Sequence, residues 1–231
     1  MKKLIASFLV FASVVGMSNG LTYASNFEPY DFDYKNADIT MTKTDERSNG
    51  IFTINNCNAS KLFNFKFNLN PGESLVTARD YLGEEFDTGE VFVVDENNII
   101  RQVINKPWAF DSAGLEVPTY FNASESMLTQ TVNHTCDNTF PITADPDAWQ
   151  VTMCAASISG FIISIGMPVA KIVAIKKGIK FAGGLTIFAQ LLIGLLTQKM
   201  TFADIGVYGP YVMDALFILT GIDSIMKNCI W

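Results

Sequence analysis

Residues 61–69, which read Lys-Leu-Phe-Asn-Phe-Lys-Phe-Asn-Leu, decide the fold of the first half of the chain. Apolar side chains alternate along them with polar ones: Phe63, Phe65, Phe67 and Leu69 against Asn64, Lys66 and Asn68. A period of two is typical of a strand with one buried face. The stretch therefore predicts a strand, and the turn sequence Asn-Pro-Gly-Glu at residues 70–73 ends it.

Further short strand signals surround this stretch. Residues 90–94 and 99–104 are rich in Val and Ile, and Asp-Glu-Asn-Asn between them indicates a hairpin with a four-residue loop. Residues 116–121 and 127–132 are further candidates. Regularly spaced short strands predict a small, sandwich-like β-rich domain over residues 25–148. Within it, residues 25–48 are acidic and show little periodicity, so we expect a loose N-terminal segment.

The composition changes after residues 141–147, whose sequence Pro-Ile-Thr-Ala-Asp-Pro-Asp is typical of a linker. A helical part is expected from near Ala148. Residues 151–170 and 181–197 carry no charge, and residues 171–180 between them hold four lysines. Residues 203–221 are mostly apolar but include Asp204 and Asp214. We predict three or four helices, forming an all-α hydrophobic bundle over residues 149–231, and hence an α+β fold class.

The charge is distributed unevenly between these two parts. Residues 25–150 contain 20 acidic and 8 basic residues, a net charge of −12, whereas residues 151–231 carry +3. Such asymmetry suggests different roles for the two parts. The negative charge of the first part argues against nucleic-acid binding.

Nothing in the sequence indicates catalysis or a resident cofactor. His134 is the only histidine and no Cys-x-x-Cys is present, so we expect no metal site. No phosphate-binding or dinucleotide-binding fingerprint occurs. Gly183-Gly184 lies inside an apolar run, where helix packing explains it. We therefore predict a protein that is not an enzyme.

The N-terminus predicts export. Lys2 and Lys3 precede an apolar run over residues 4–15, and Thr-Tyr-Ala at 22–24 is a small-residue cleavage site. This gives a signal peptide over residues 1–24. A second candidate for the cleavage site is Ser-Asn-Gly at 18–20. The alternative is an uncleaved membrane anchor.

Four cysteines in a secreted chain allow three disulfide connectivities. The simplest pairing is Cys57 with Cys136 and Cys154 with Cys229.

Two interpretations of the hydrophobic third remain open. In one, two or three transmembrane helices anchor a surface protein whose acidic domain lies outside, since 20 uncharged residues span a membrane. In the other, a bundle closed by Cys154–Cys229 meets membranes after its release. Its lipid-facing residues would be Lys171, Lys176, Lys177, Lys180, Trp149 and Trp231, with Tyr208 and Tyr211 also at the interface. The acidic domain would then be a pro-region, cut off at residues 141–147.

The layout resembles secreted helical bacteriocin precursors of Gram-positive bacteria. The residues that carry the resemblance are the signal peptide, Asp-Ala-Trp at 147–149 leading to Cys154, Lys-Lys-Gly-Ile-Lys at 176–180, and Cys229 near the C-terminus. The resemblance covers about the last 85 residues. It implies a secreted antimicrobial precursor that acts on the lipid membrane of target cells. A processing protease and an immunity protein would be its partners.

Overall fold

A computed structural model describes residues 27–43, 47–150, 153–162, 169–201, 203–206 and 209–219. The predicted signal peptide and Cys229 lie outside these ranges. The described strands are β1 (Phe27–Tyr30), β2 (Ala37–Lys43), β3 (Arg47–Ile54), β4 (Leu62–Phe67), β5 (Ser74–Thr77), β6 (Val91–Val94), β7 (Ile100–Ile104), β8 (Trp108–Phe110), β9 (Thr119–Ser124), β10 (Met127–Val132), β11 (Ile142–Asp145) and β12 (Asp147–Gln150). The described helices are α1 (Ala78–Leu82), α2 (Met153–Ile162), α3 (Val169–Ala182), α4 (Leu185–Leu196) and α5 (Gly209–Leu219), with a 3₁₀ turn at Glu84–Phe86.

The strands form two antiparallel sheets. The first has the order β1-β4-β10-β9, and the second has the order β5-β6-β7-β12-β3-β11-β8, with β2 on the other side of β3. The fold class is therefore mixed, with a β-rich N-terminal region and helices at the C-terminus, as the sequence predicts.

Aromatic side chains fill the space between the two sheets. Phe63 and Phe65 of β4 are fully buried, and the ring of Phe63 lies 4.5 Å from that of Phe52 on β3. Lys66, on the opposite side of β4, is exposed. The alternation at residues 61–69 therefore predicts correctly which face of β4 is buried. The hairpin is also confirmed, because β6 pairs with β7, although the connection covers residues 95–99 and is one residue longer than predicted.

Strand β6 is buried on both faces. Val91 and Val93 belong to the hydrophobic cluster between the sheets, whereas Phe92 and Val94 belong to a second cluster that contains residues of α2–α5. The molecule therefore has three layers: the first sheet, the second sheet and the helices. An unbroken apolar run such as Val-Phe-Val-Val is what a strand covered on both sides requires.

Two predictions about chain segments are wrong. The described residues of the segment 25–48, which are 27–43 and 47–48, are not loose, because they form β1, β2 and the start of β3, and β2 pairs with β3 along its whole length. Residues 141–147 are not a linker, because they contain β11 and the start of β12. Strand β12 lies between β3 and β7, so Ala148 is in a strand and the first C-terminal helix begins at Met153.

Pro146 explains how a linker-like sequence becomes part of a sheet. Proline has no N–H to donate, and it separates two short strands that pair with the same long strand. Its carbonyl oxygen accepts a hydrogen bond from the Gly50 amide of β3 at 3.0 Å. The proline thus marks a break between β11 and β12 and does not end the sheet.

The predicted disulfide between Cys57 and Cys136 is present, with a Cα–Cα distance of 4.9 Å. It joins the segment after β3 to the segment after β10 and closes a loop of 79 residues. It therefore restricts the unfolded chain of the β-rich region.

We expect the Cys57→Ser/Cys136→Ser double variant to lose between about 2 and 5 kcal/mol of stability, because its unfolded chain gains the entropy of the open loop. Urea denaturation of the oxidised wild type and the variant measures the difference. An unchanged midpoint would contradict this assignment.

Candidate functional site

The candidate site is the helix–sheet junction, which we define as the contact of α1, the 3₁₀ turn, β6 and β7 with the C-terminal helices α2–α5. One hydrophobic cluster fills it. From the β-rich side, its buried members are Ala78, Leu82, Phe86, Phe92, Val94, Ile100 and Val103. From the helical side, they include Ile158, Ile175, Ile179, Leu185, Phe188, Leu192, Val212 and Leu219. The apolar faces of the helices are thus covered by the second sheet.

A buried carboxyl group lies within this junction. Glu90, directly before β6, is only 4% exposed. Its two carboxylate oxygens accept the backbone N–H of Leu185, at 3.0 and 3.2 Å, and one of them also accepts the Thr88 hydroxyl at 2.8 Å. Leu185 is the first residue of α4, where free backbone amides favour an acceptor.

Burial raises the pKa of Glu90 to about 7, against the lowering effect of the hydrogen bonds from Leu185 and Thr88. No cation among the described residues forms an ion pair with Glu90 that would offset the burial. The ion pairs among the described residues are Arg79–Glu84, Arg79–Asp87 and Arg101–Asp95, and none includes Glu90. The carboxyl group therefore changes charge near neutral pH inside a largely apolar contact.

An open cleft of about 500 Å³ adjoins Glu90. It is lined by Glu90, Asn105, Lys106, Gly183, Thr186, Ile187 and Gln190. The cleft lies between the end of β7 and the start of α4.

Gly183 and Gly184 form the turn between α3 and α4. Both have positive φ, 91° and 145°, and the two helices are bent by 100° relative to one another. A Cβ atom on Gly184 would lie 2.7 Å from Cδ of Glu90. The two glycines therefore permit the turn and the close approach to Glu90, whereas the sequence analysis explained them by helix packing.

Helix α2 is attached to the sheet through Ser159. Its buried hydroxyl accepts the backbone N–H of Ile100 in β7 at 3.2 Å and donates to the Ala156 carbonyl at 2.7 Å. Nearby, the Tyr81 hydroxyl of α1 donates to the Asn98 carbonyl at 2.8 Å. Burial raises the pKa of Tyr81 to about 12. Polar groups at the junction are thus paired with backbone partners.

Two of the four predicted lipid-facing lysines contact the β-rich region. The Lys176 ammonium donates to the Leu82 carbonyl at 2.6 Å, and the Lys180 ammonium donates to the Glu85 carbonyl. Leu82 is the last residue of α1, where a cation near the free carbonyls is favourable. Lys171 and Lys177 are exposed.

Among the aromatic and cysteine residues predicted for the helical region, the structure describes the side chain of Tyr211. Tyr211 is partly exposed and stacks on Phe181, with 3.7 Å between ring centroids. The side chains of Trp149 and Cys154 lie outside the described part of the structure, as do Tyr208, Cys229 and Trp231.

Our sequence analysis missed Glu90, Ser159 and Tyr81. A signal for Glu90 exists, because it is a single carboxylate directly before the unbroken apolar run of β6. Ser159 and Tyr81 carry no comparable signal, since both act through backbone groups that are distant in sequence.

Comparison with known proteins does not assign the chain to a family. The chain matches no protein-family model, no curated protein and no solved structure. In the part of the chain that the structure describes, no three His, Cys, Asp or Glu side chains are positioned to hold a metal ion. Within the same part, no single helix is long and apolar enough to cross a membrane, whereas α3 and α4 taken together meet that requirement despite their bend.

We expect Gly184→Ala to destabilise the junction strongly, because it adds a Cβ clash with Glu90 to the strain of a positive φ. Gly114→Ala is the matched control, since Gly114 has φ of 80° and no atom within 4 Å of the added Cβ. Thermal unfolding should show a loss for Gly184→Ala that exceeds the control by at least about 1 kcal/mol. Equal losses would mean that the Glu90 contact is not close.

Proposed function

We propose that the protein is an exported bacteriocin-like antimicrobial precursor whose C-terminal helical region perturbs the membranes of target cells after release from the β-rich region. The acidic β-rich region acts as a carrier that holds the helices in a water-compatible form. The proposal assigns no enzymatic role to the protein.

The observation that carries the proposal is the shared hydrophobic cluster of the helix–sheet junction. Helix α4 has no charged residue, and its buried residues Leu185, Phe188 and Leu192 belong to that cluster together with β6 and β7. Separation from the sheet would expose this apolar surface. Large exposed apolar surfaces in proteins bind membranes or other proteins.

Positive charge on the helical region favours a membrane as the target. The helical part carries +3, and the exposed Lys171 and Lys177 provide a first attraction to anionic lipid. Release would also free Lys176 and Lys180 from the carbonyl groups that they now contact. The full set of four lysines would then be available to lipid, together with Trp231. Trp149 belongs to β12 and would stay with the second sheet.

The fold restricts where a releasing cut would fall. Strand β12 is paired on both sides, so a cut at residues 141–147 would leave the helices attached to the sheet through β12. A protease that frees the helices must therefore cut after Gln150. Closure of the released all-α bundle by Cys154–Cys229 and protection of the producer by an immunity protein belong to this proposal.

A second candidate is a membrane-anchored surface protein. It is favoured by the combined length and apolar composition of α3 and α4. In that case the chain would remain in the membrane fraction of the producing cells after carbonate extraction, whereas the precursor would be found in the medium.

We expect membrane leakage to depend on separation of the helices from the sheet. A specific protease site inserted between Gln150 and Met153 allows the folded, exported chain to be cut at will. Release of a dye from anionic vesicles should rise at least tenfold after the cut. The uncleavable insertion of the same length is the control, and equal leakage before and after the cut would contradict the proposal.

We expect the Lys171→Gln/Lys177→Gln double variant to bind anionic vesicles more weakly, because each lysine near the surface contributes about 1 kcal/mol. Lys61→Gln/Lys66→Gln removes the same charge from exposed positions in the β-rich region and should change binding little. Vesicle co-sedimentation of the cut protein measures both. Equal weakening by the two double variants would show that net charge alone matters.

A further inference from the structure

The connection between α4 and the second sheet depends on a group that changes charge. Glu90 precedes β6, and its only hydrogen-bond donors among the described residues are the Leu185 amide and the Thr88 hydroxyl. A neutral carboxyl group suits this apolar contact, whereas a carboxylate without a cation is costly there.

We propose that Glu90 is a proton-controlled latch, which holds α4 against the sheet when it is protonated and weakens the helix–sheet junction when it is ionised. The proposal rests on the proposed function, since it names the condition under which the helices leave their carrier. Rising pH, and not acidification, is the releasing signal.

The direction follows from linkage between protonation and opening. The pKa of Glu90 is about 7 in the closed form because of burial, and it returns towards the ordinary value of 4.5 when the junction opens and the group is hydrated. The closed form therefore binds the proton more tightly. Acid favours the closed form, and its stability declines as pH rises from about 5 to above 7.

The charged groups around Glu90 do not reverse this direction. Asp87, three residues earlier, is acidic and pairs with Arg79. Lys106 lines the same cleft but is not in an ion pair with Glu90. Lys180, near the end of α3, donates to the Glu85 carbonyl, and α4 has no ionisable side chain.

The size of the effect is measurable. With these two pKa values, the equilibrium constant for opening should rise roughly 70-fold between pH 5 and pH 8. Hydrogen exchange of the α4 amides, corrected for intrinsic rates and measured on the full exported chain, reports this opening.

Three variants test the latch. Glu90→Gln imitates the protonated form, so it should keep α4 protected at pH 8 and abolish most of the pH dependence. Thr88→Val removes a donor that favours the ionised closed form, so opening should keep rising to a higher pH and reach a larger value at pH 8 than in the wild type. Glu96→Gln removes one charge from an exposed loop and should behave like the wild type. If Glu90→Gln does not fold, the change that Thr88→Val causes in the pH dependence of opening tests the latch.

The outcomes separate the latch from the proposed function. Identical pH dependence in the wild type, Glu90→Gln and Thr88→Val would overturn the latch, even if the cut protein permeabilises anionic vesicles. Opening that depends on Glu90 supports the latch. If vesicle leakage then fails at every pH, the membrane function fails while the latch remains.

Discussion

The rest of the structure depends on one constraint, which is that strand β6 has to be covered on both faces. Its four residues, Val-Phe-Val-Val, are all buried, and they contribute alternately to the cluster between the sheets and to the cluster under the helices. The first sheet alone would leave Phe92 and Val94 in water. The C-terminal helices meet that need, and in doing so they bury their own apolar faces.

Some of this arrangement follows from the sequence, and some does not. The alternation around Phe63 and Phe65 gives the inward face of β4 because a period of two is a local property. The hairpin of β6 and β7 and the pairing of Cys57 with Cys136 follow for similar reasons. The role of residues 141–147 does not, since Pro146 is typical both of a linker and of a break between two strands that share one partner. Only the pairing with β3 and β7 distinguishes the two.

The helix–sheet junction is harder to predict because its polar contacts join distant residues. Ser159 meets Ile100, and Glu90 meets Leu185, across separations of 59 and 95 residues. A carboxylate before an apolar strand and a Gly-Gly pair between apolar helices are each ordinary. Their functional meaning arises only because the Gly184 turn brings the α4 amide to the Glu90 carboxyl group.

The opposite charges of the two halves suggest electrostatic neutralisation of the cationic helices by the acidic region, but the contacts favour a different explanation. Each ion pair among the described residues lies within the β-rich region, and Lys176 and Lys180 donate to carbonyl groups instead of carboxylates. Exposed charges are screened over about 8 Å at physiological salt, whereas the burial of apolar surface is not screened. The β-rich region thus contacts the helices mainly by covering their apolar surface. A buried carboxyl group is well suited to control such a contact, because its charge opposes burial directly.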